Sequence, residues 1–200
     1  MSSKSEEVQW LFDRIAACKQ REIALRATGF RFADTRYANE SDLLSGEGAG
    51  TYGARWNPPG LNAVYAALDP VTAVKESYQN FHEFGFSPKP RVMAGLAILL
   101  RHVLDLTDLR IRRFLGFTVA DLVEEDWSGI QQAGEESWTQ AIGRGAAIAG
   151  FEGLLVPAAK HPPGRNVVIF PQKLRVGSAV EAIAAEDLPP HPSRWRSGHA

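Results

Sequence analysis

The chain has 200 residues, of which 44% are hydrophobic and 22% charged, and its formal net charge at pH 7 is −1. This length fits one domain with extensions, and the near-neutral charge argues against direct nucleic-acid binding, which usually requires a strongly basic surface. The lone Cys18 excludes an internal disulfide. Together with the lack of a long apolar run or a basic-then-apolar leader, it predicts a cytoplasmic protein that does not bind membranes.

The N-terminal part of the chain has apolar residues at helical spacing. This pattern predicts a helix over residues 5–27, within an extension over residues 1–28 that packs on the domain or on a partner. A short strand is predicted next, at Phe30–Phe32. Because side chains alternate along a strand, Arg31 is expected on the face opposite the two phenylalanines.

A glycine-rich segment over residues 46–60 follows and contains one cation, Arg55. Glycines at positions 48, 50 and 53 permit positive φ and close backbone approach, and Pro58-Pro59-Gly60 predicts a rigid turn. Of Arg31 and Arg55, the one in this glycine-rich segment is the harder to explain as ordinary surface. We therefore interpret Arg55 as an anion-binding candidate.

The next two elements bring a tyrosine and a carboxylate towards this turn. A buried strand is predicted at Ala63–Ala66 and carries Tyr65. A helix is predicted at Pro70–Phe81, with Asp69 as its N-cap, and it carries Glu76. The spacing places three apolar residues near one helix face, with Glu76 just off it: Val71, Val74 and Tyr78. The sequence thus predicts a site where an arginine loop, a strand tyrosine and a helix glutamate converge.

The remaining elements alternate irregularly. Strands are predicted at residues 91–100, 103–106, 154–156, 166–169 and 174–176, and helices at residues 109–115, 119–124 and 135–149. This order predicts an α+β fold, with one mixed domain over residues 29–180. The Pro-rich, polar segment over residues 181–200 is predicted to be a disordered tail.

Several blocks of this sequence together resemble the RES domain, a family named for an arginine, a glutamate and a serine. The matching blocks are Phe30-Arg31-Phe32, Gly53-Ala54-Arg55-Trp56-Asn57-Pro58-Pro59-Gly60, Val64-Tyr65-Ala66, Ala73-Val74-Lys75-Glu76, Gly150 to Ala159 and Gly164 to Pro171. RES proteins are commonly the toxins of bacterial toxin–antitoxin pairs. Their fold and site are similar to those of ADP-ribosyltransferases.

The resemblance implies an enzyme that consumes NAD as a substrate, with no recycled cofactor. The nicotinamide–ribose bond would be cut, with water, phosphate or a protein side chain as the acceptor. Two alternatives stay open: a protein ADP-ribosyltransferase of the same fold, and a weakened or inactive relative that only binds. The resemblance also implies a cognate antitoxin with a helix-turn-helix part, which would cover the pocket and bind DNA in place of this chain.

Residue roles follow from the resemblance position by position. Glu76 would stabilise the positive charge that develops on the ribose, with Arg31 and Tyr65 beside it. Arg31 and Arg55 would bind the pyrophosphate, and Tyr65 would contact the nicotinamide or its ribose. Asn166 matches the family's asparagine. The family's serine position is occupied by Ala158, so that hydroxyl is missing.

Other site classes find no support in the sequence. His82, His102 and His161 lack the spacing of metal ligands, so no metal site is predicted. The glycines do not match GxGxxG, and no strand-then-helix flanks them, which argues against a Rossmann site.

Overall fold

The computed structural model describes residues 4–84 and 90–194, without the side chains of residues 78–84. The helices in these ranges are α1 (Lys4–Ala17), α2 (Glu40–Ser45), α3 (Glu47–Tyr52), α4 (Pro70–Phe84), α5 (Leu109–Leu115), α6 (Val119–Glu124), α7 (Trp127–Gln132) and α8 (Trp138–Ile148). The strands are β1 (Ile23–Asp34), β2 (Val64–Ala67), β3 (Arg91–Asp105), β4 (Gly153–Pro157), β5 (Arg165–Ile169) and β6 (Ala179–Ala182).

In the described residues the strands form one six-stranded sheet in the order β1-β2-β5-β4-β3-β6, and β1 also pairs with β3. The β1–β3 pairing closes the first five strands into a ring, from which β6 extends along the free part of β3. The β3–β4 pair is parallel and the other pairs are antiparallel. The predicted single α+β domain with an N-terminal helix is therefore confirmed.

The two larger apolar clusters of the described residues pack on and within the sheet, and a smaller third one surrounds Leu43 of α2. One joins α1, α5 and α8 to strands β4 and β5, and its fully buried members include Leu11, Ile142 and Phe170. The other lies among the strands, around Leu96 and Val167. Among the described residues no helix has the length and apolarity that a membrane crossing requires.

The N-terminal helix is shorter than predicted. It ends at Ala17, a 3₁₀ turn spans Cys18–Arg21, and β1 begins at Ile23. The prediction of a helix through residue 27 was wrong because exposure alternates from Ile23 to Thr28, as it does in a strand with one buried face. The segment belongs to the sheet, and residues 23–28 pair with β3.

The C-terminal half departs from prediction in three places. The strands predicted at 91–100 and 103–106 are one strand, β3, since β1 pairs along most of its length. The strand predicted at 174–176 is absent from the described residues, where the 3₁₀ turn Pro171–Lys173 is followed by a non-strand segment. The boundary at residue 181 falls inside β6, which pairs with Leu96 to Leu99 and supplies Val180 to the core. The predicted disorder is therefore wrong for β6, and residues 195–200 lie outside the described residues.

Helix α4 is present as predicted, but the face that it buries is not the one with the large apolar side chains. Asp69 caps it, with Oδ1 accepting a hydrogen bond from the backbone N of Thr72 at 2.8 Å. Val71 and Val74, predicted to lie near one apolar face, are 55% and 41% exposed, whereas Ala73 and Ser77 are buried. Small side chains face the sheet because α4 lies close to β1 and β2. The side chain of Tyr78 lies outside the described residues.

Candidate active site

The candidate site is a cleft where β1 and β2 diverge. The two strands pair at one position, Phe30 with Ala67. Beyond this pair a side-chain contact takes the place of backbone hydrogen bonds between the two strands. Arg31 Nη1 donates to the carbonyl of Tyr65 at 3.1 Å. The cleft holds a cavity of about 220 Å³, lined by Phe30, Arg31, Phe32, Tyr65, Ala66, Ala67, Ala73, Glu76, Ser77, Arg91 and Asn166.

Glu76 enters this cavity from α4 with its carboxylate already oriented. Its Oε1 accepts hydrogen bonds from the backbone N of Lys160 at 3.1 Å and from Asn166 Nδ2 at 3.3 Å. The loop that presents Lys160 is tied to the start of α4, where Thr72 Oγ1 lies 3.0 Å from His161 Nδ1. Helix α4, the loop at Lys160 and strand β5 therefore together fix the position of this carboxylate.

Arg31 and Asn166 line the cavity, and each has a buried polar atom without a hydrogen-bond partner. In the described part of the chain three buried side-chain polar atoms lack a hydrogen-bond partner, and two of them are Arg31 Nε and Asn166 Oδ1. Leaving such an atom unpaired costs about 1–3 kcal/mol. Burial lowers the pKa of Arg31, and the nearby Arg91 cation lowers it further. Arg31 thus supplies a buried cation, and the cavity-lining residues keep two buried polar atoms that the described part of the protein does not pair.

Tyr65 lines the cavity, but its hydroxyl is engaged elsewhere. The hydroxyl donates to Asn57 Oδ1 at 2.7 Å and accepts from the backbone N of Trp56 at 3.0 Å. Burial raises the pKa of Tyr65, so the hydroxyl stays protonated. The hydroxyl therefore holds the glycine-rich segment, and the stacking role of Tyr65 stays a prediction.

Asn57 is the centre of that segment, and the sequence interpretation gave it no role. It is fully buried, and its Nδ2 donates to the carbonyls of Ala49 at 2.8 Å and Leu61 at 2.9 Å. Helix α3 lies inside residues 46–60, where a flexible glycine-rich turn was predicted, and α2 comes directly before them. The segment is therefore a packed wall behind Tyr65.

Arg55 does not line the cavity. Its Nη1 donates to the carbonyls of Leu122 at 3.2 Å and Glu125 at 3.0 Å, where it caps the C-terminal end of α6. Burial lowers its pKa, while the charges of Glu125 and Glu76 act in the opposite direction. Arg55 thus lies within electrostatic range of the site but contacts a helix end.

Ala158, at the motif serine position, also lies outside the cavity lining. It is 3% exposed, and its backbone N donates to the carbonyl of Gly164 at 2.9 Å. The structure thus brings together Arg31, Tyr65, Glu76 and Asn166 and leaves Arg55 and Ala158 outside the lining. Among the described residues no group of three or more His, Cys, Asp or Glu side chains is arranged to hold a metal ion.

The sequence of this chain matches a protein family and individual proteins of that kind. The RES domain family model matches residues 26–193. NAD(+) phosphorylase MbcT of Mycobacterium tuberculosis is 31% identical over 157 residues, which cover 74% of this chain and 77% of that protein. Probable NAD(+) phosphorylase Rv3189 of the same organism is 32% identical over 161 residues, covering 80% and 71%.

A solved structure agrees with these sequence matches. The toxin–antitoxin complex MbcT–MbcA of M. tuberculosis contains a chain that superposes on this one with a TM-score of 0.63 and 27% identity. The match covers 88% of this chain and 93% of the other. Helix α1 precedes the residues that the family model matches.

Proposed function

Because the chain belongs to the RES domain family, we propose that it degrades NAD by breaking the nicotinamide–ribose bond, with inorganic phosphate as the acceptor. The observation that carries the proposal is the Glu76 carboxylate, held by Lys160 N and Asn166 in a cavity that it shares with Arg31. The phosphorylase names of two relatives support phosphate as the acceptor.

The reaction follows from this arrangement. The bond between the ribose anomeric carbon and the pyridinium nitrogen breaks, and its electron pair neutralises the leaving nicotinamide. Positive charge develops on the ribose, where the fixed Glu76 carboxylate stabilises it. A phosphate oxygen then bonds to the anomeric carbon and gives ADP-ribose 1-phosphate. NAD is consumed, so no resident cofactor is required.

The other cavity residues bind and orient NAD in this proposal. The cation of Arg31, with its unpartnered Nε, suits a pyrophosphate oxygen. Asn166 holds Glu76 through Nδ2 and offers its unpartnered Oδ1 to a ribose hydroxyl. The Tyr65 ring forms a wall for the nicotinamide or its ribose, and Arg55 adds positive potential from outside the cavity. Ala158 does not line the cavity, so the loss of the motif serine leaves these contacts in place.

We further propose that a cognate antitoxin covers the cavity in the cytoplasm. The MbcT–MbcA structure is a toxin–antitoxin complex, which supports a protein partner for this chain. The net charge of −1 fits a toxin that leaves DNA binding to a partner with a helix-turn-helix part. Expression in a bacterium should deplete NAD and stop growth, and co-expression of the antitoxin should relieve both effects.

The activity is tested by product analysis. Purified protein is incubated with NAD in phosphate and in phosphate-free buffer, and the products are separated by mass spectrometry. We expect nicotinamide and ADP-ribose 1-phosphate, formed in proportion to phosphate. Free ADP-ribose in both buffers would indicate hydrolysis instead, and labelling of an added protein would indicate an ADP-ribosyltransferase. Unchanged NAD would leave a binding relative and overturn the proposal.

A further inference from the structure

The cavity contains a hydroxyl and a second cation that the RES motif does not include. Ser77 follows Glu76 on α4 and is 8% exposed, and Arg91 is the first residue of β3. Both line the cavity, and Arg91 Nη1 donates a hydrogen bond to Ser77 Oγ. The pair lies next to the catalytic candidate, on the side where β3 runs beside β1.

The direction of this hydrogen bond determines what Ser77 can offer a ligand. A hydroxyl has one proton to donate, and its oxygen can accept two hydrogen bonds. Since Arg91 donates to the oxygen, the Ser77 proton is directed elsewhere. Within the described residues Ser77 Oγ donates to no acceptor. A bound group with acceptor oxygens would complete its hydrogen bonding.

Charges of both signs surround the pair, and two of them are guanidinium groups that can contact one ligand. Arg31 and Arg91 line the same cavity, and each cation disfavours the other, which contributes to the lowered pKa of Arg31. Two carboxylates border them. Glu76 is held by Lys160 and Asn166, and Asp34 accepts from the backbone N of Arg36 at 3.0 Å.

We propose that Ser77 and Arg91, together with Arg31, form a subsite that binds a phosphate group. Guanidinium groups recognise phosphate oxygens through paired, charge-assisted hydrogen bonds, and a serine hydroxyl adds a further donor. The group is either the inorganic phosphate acceptor or a phosphate of the NAD pyrophosphate. This inference rests on the proposed function, because that reaction supplies both ligands.

Steady-state kinetics distinguish the two sources. Ser77→Ala and Arg91→Met are compared with wild type, with Ser77→Thr as the variant that keeps the hydroxyl. Arg36→Met is the control, since Arg36 is an exposed arginine near the same strand ends that does not line the cavity. Loss of a charge-assisted hydrogen bond to phosphate should raise the relevant KM about tenfold or more.

If the subsite holds the acceptor, the KM for inorganic phosphate rises and the KM for NAD does not. If it holds the pyrophosphate, the KM for NAD rises instead. In both cases Ser77→Thr and Arg36→Met stay close to wild type. A wild-type KM for both ligands in Ser77→Ala and Arg91→Met would overturn the subsite.

Direct binding separates failure of the subsite from failure of the proposed function. Wild-type protein and Ser77→Ala are titrated calorimetrically with inorganic phosphate and with ADP, neither of which requires turnover. Weaker binding of either ligand by the variant supports the subsite even if the wild type degrades no NAD. Equal binding by both proteins contradicts it, whatever the activity. A thermal melt of each variant confirms that it is folded.

Discussion

Glu76 and Glu152 are two carboxylates in opposite situations. Glu152 is fully buried, and its oxygens accept from the backbone N of Arg101, His102 and Arg175 and from the Ser178 hydroxyl, at 2.8–3.1 Å. Every one of these partners is protein. Glu76 is held through one oxygen, in a cavity whose residues leave two buried polar atoms unpaired.

The difference separates a carboxylate that stabilises the fold from the one to which the proposed function gives a role in the reaction. Glu152 ties the start of β4 to β3 and to the segment after β5, so its hydrogen bonds are complete without a ligand. Around Glu76, by contrast, two cavity-lining residues keep buried polar atoms unpaired, which costs free energy. Both glutamates lie in blocks of the RES resemblance, so their place in the motif does not distinguish their roles.

The largest expected effect is on stability, from Glu152→Ala. This change leaves several buried donors without an acceptor, and we expect the free energy of unfolding to fall by about 3–5 kcal/mol. Urea unfolding measures it, with the exposed Glu186→Ala as a control that changes little. A stability loss no larger than the control's would contradict the structural role of Glu152.

Lowering the pH should remove the stability that the ionised Glu152 carboxylate contributes. Burial raises the pKa of Glu152, but hydrogen bonds from Arg101 N, Ser178 and other donors outweigh it, so the folded-state pKa lies below the ordinary value of 4.5. Glu152 therefore stabilises the fold above pH 4.5, and this stability is lost as pH falls towards the lower folded-state pKa. Thermal melts between pH 6 and pH 3, run on wild type and Glu152→Gln, should show a steeper loss in the wild type. Parallel pH curves would argue against the lowered pKa.

A smaller effect is expected in the wall behind Tyr65. Asn57→Ala leaves two buried carbonyls and the Tyr65 hydroxyl without their partner, and should cost about 2–3 kcal/mol of stability. Tyr65→Phe removes only the hydroxyl and should cost less. Denaturant unfolding gives both values. If Tyr65→Phe proved the more destabilising change, Asn57 would not be the centre of this wall.

The smallest effect is expected at Arg55. Arg55→Met removes two hydrogen bonds to the end of α6 and should lower stability by about 1–2 kcal/mol. It should raise the KM for NAD less than Arg31→Met does, because Arg31 lines the cavity and Arg55 does not. Unfolding curves and NAD kinetics on both variants test this order. A larger KM change in the Arg55 variant would place Arg55 in direct contact with NAD.

The sequence predicted that the Arg55 loop, Tyr65 and Glu76 converge, and the RES resemblance added Arg31 and Asn166. The structure brings these residues together at the cavity except Arg55. Ser77 was missed because the apolar spacing on α4 pointed to the face with Val71 and Val74, whereas close packing against β1 buries small residues. Arg91 was missed because its place beside the cavity depends on the long-range β1–β3 register.

Loop geometry accounts for the other differences. The sequence interpretation made Arg55 an anion-binding residue. The direction in which its side chain points depends on the position of the C-terminal end of α6, which local sequence does not predict. The same holds for Asn57, whose partners come from both sides of the turn. Glu152 gave no local signal, because its donors come from β3 and from residues 175–178.

The central claim is that Glu76 serves the reaction and not the fold. Glu76→Gln tests it most directly, since the glutamine keeps an oxygen to accept from Lys160 N and loses only the charge. We expect wild-type thermal stability and a loss of NAD turnover of about a hundredfold or more, the size expected when a transition-state charge contact is removed. A variant that keeps the fold and most of its turnover would contradict the account.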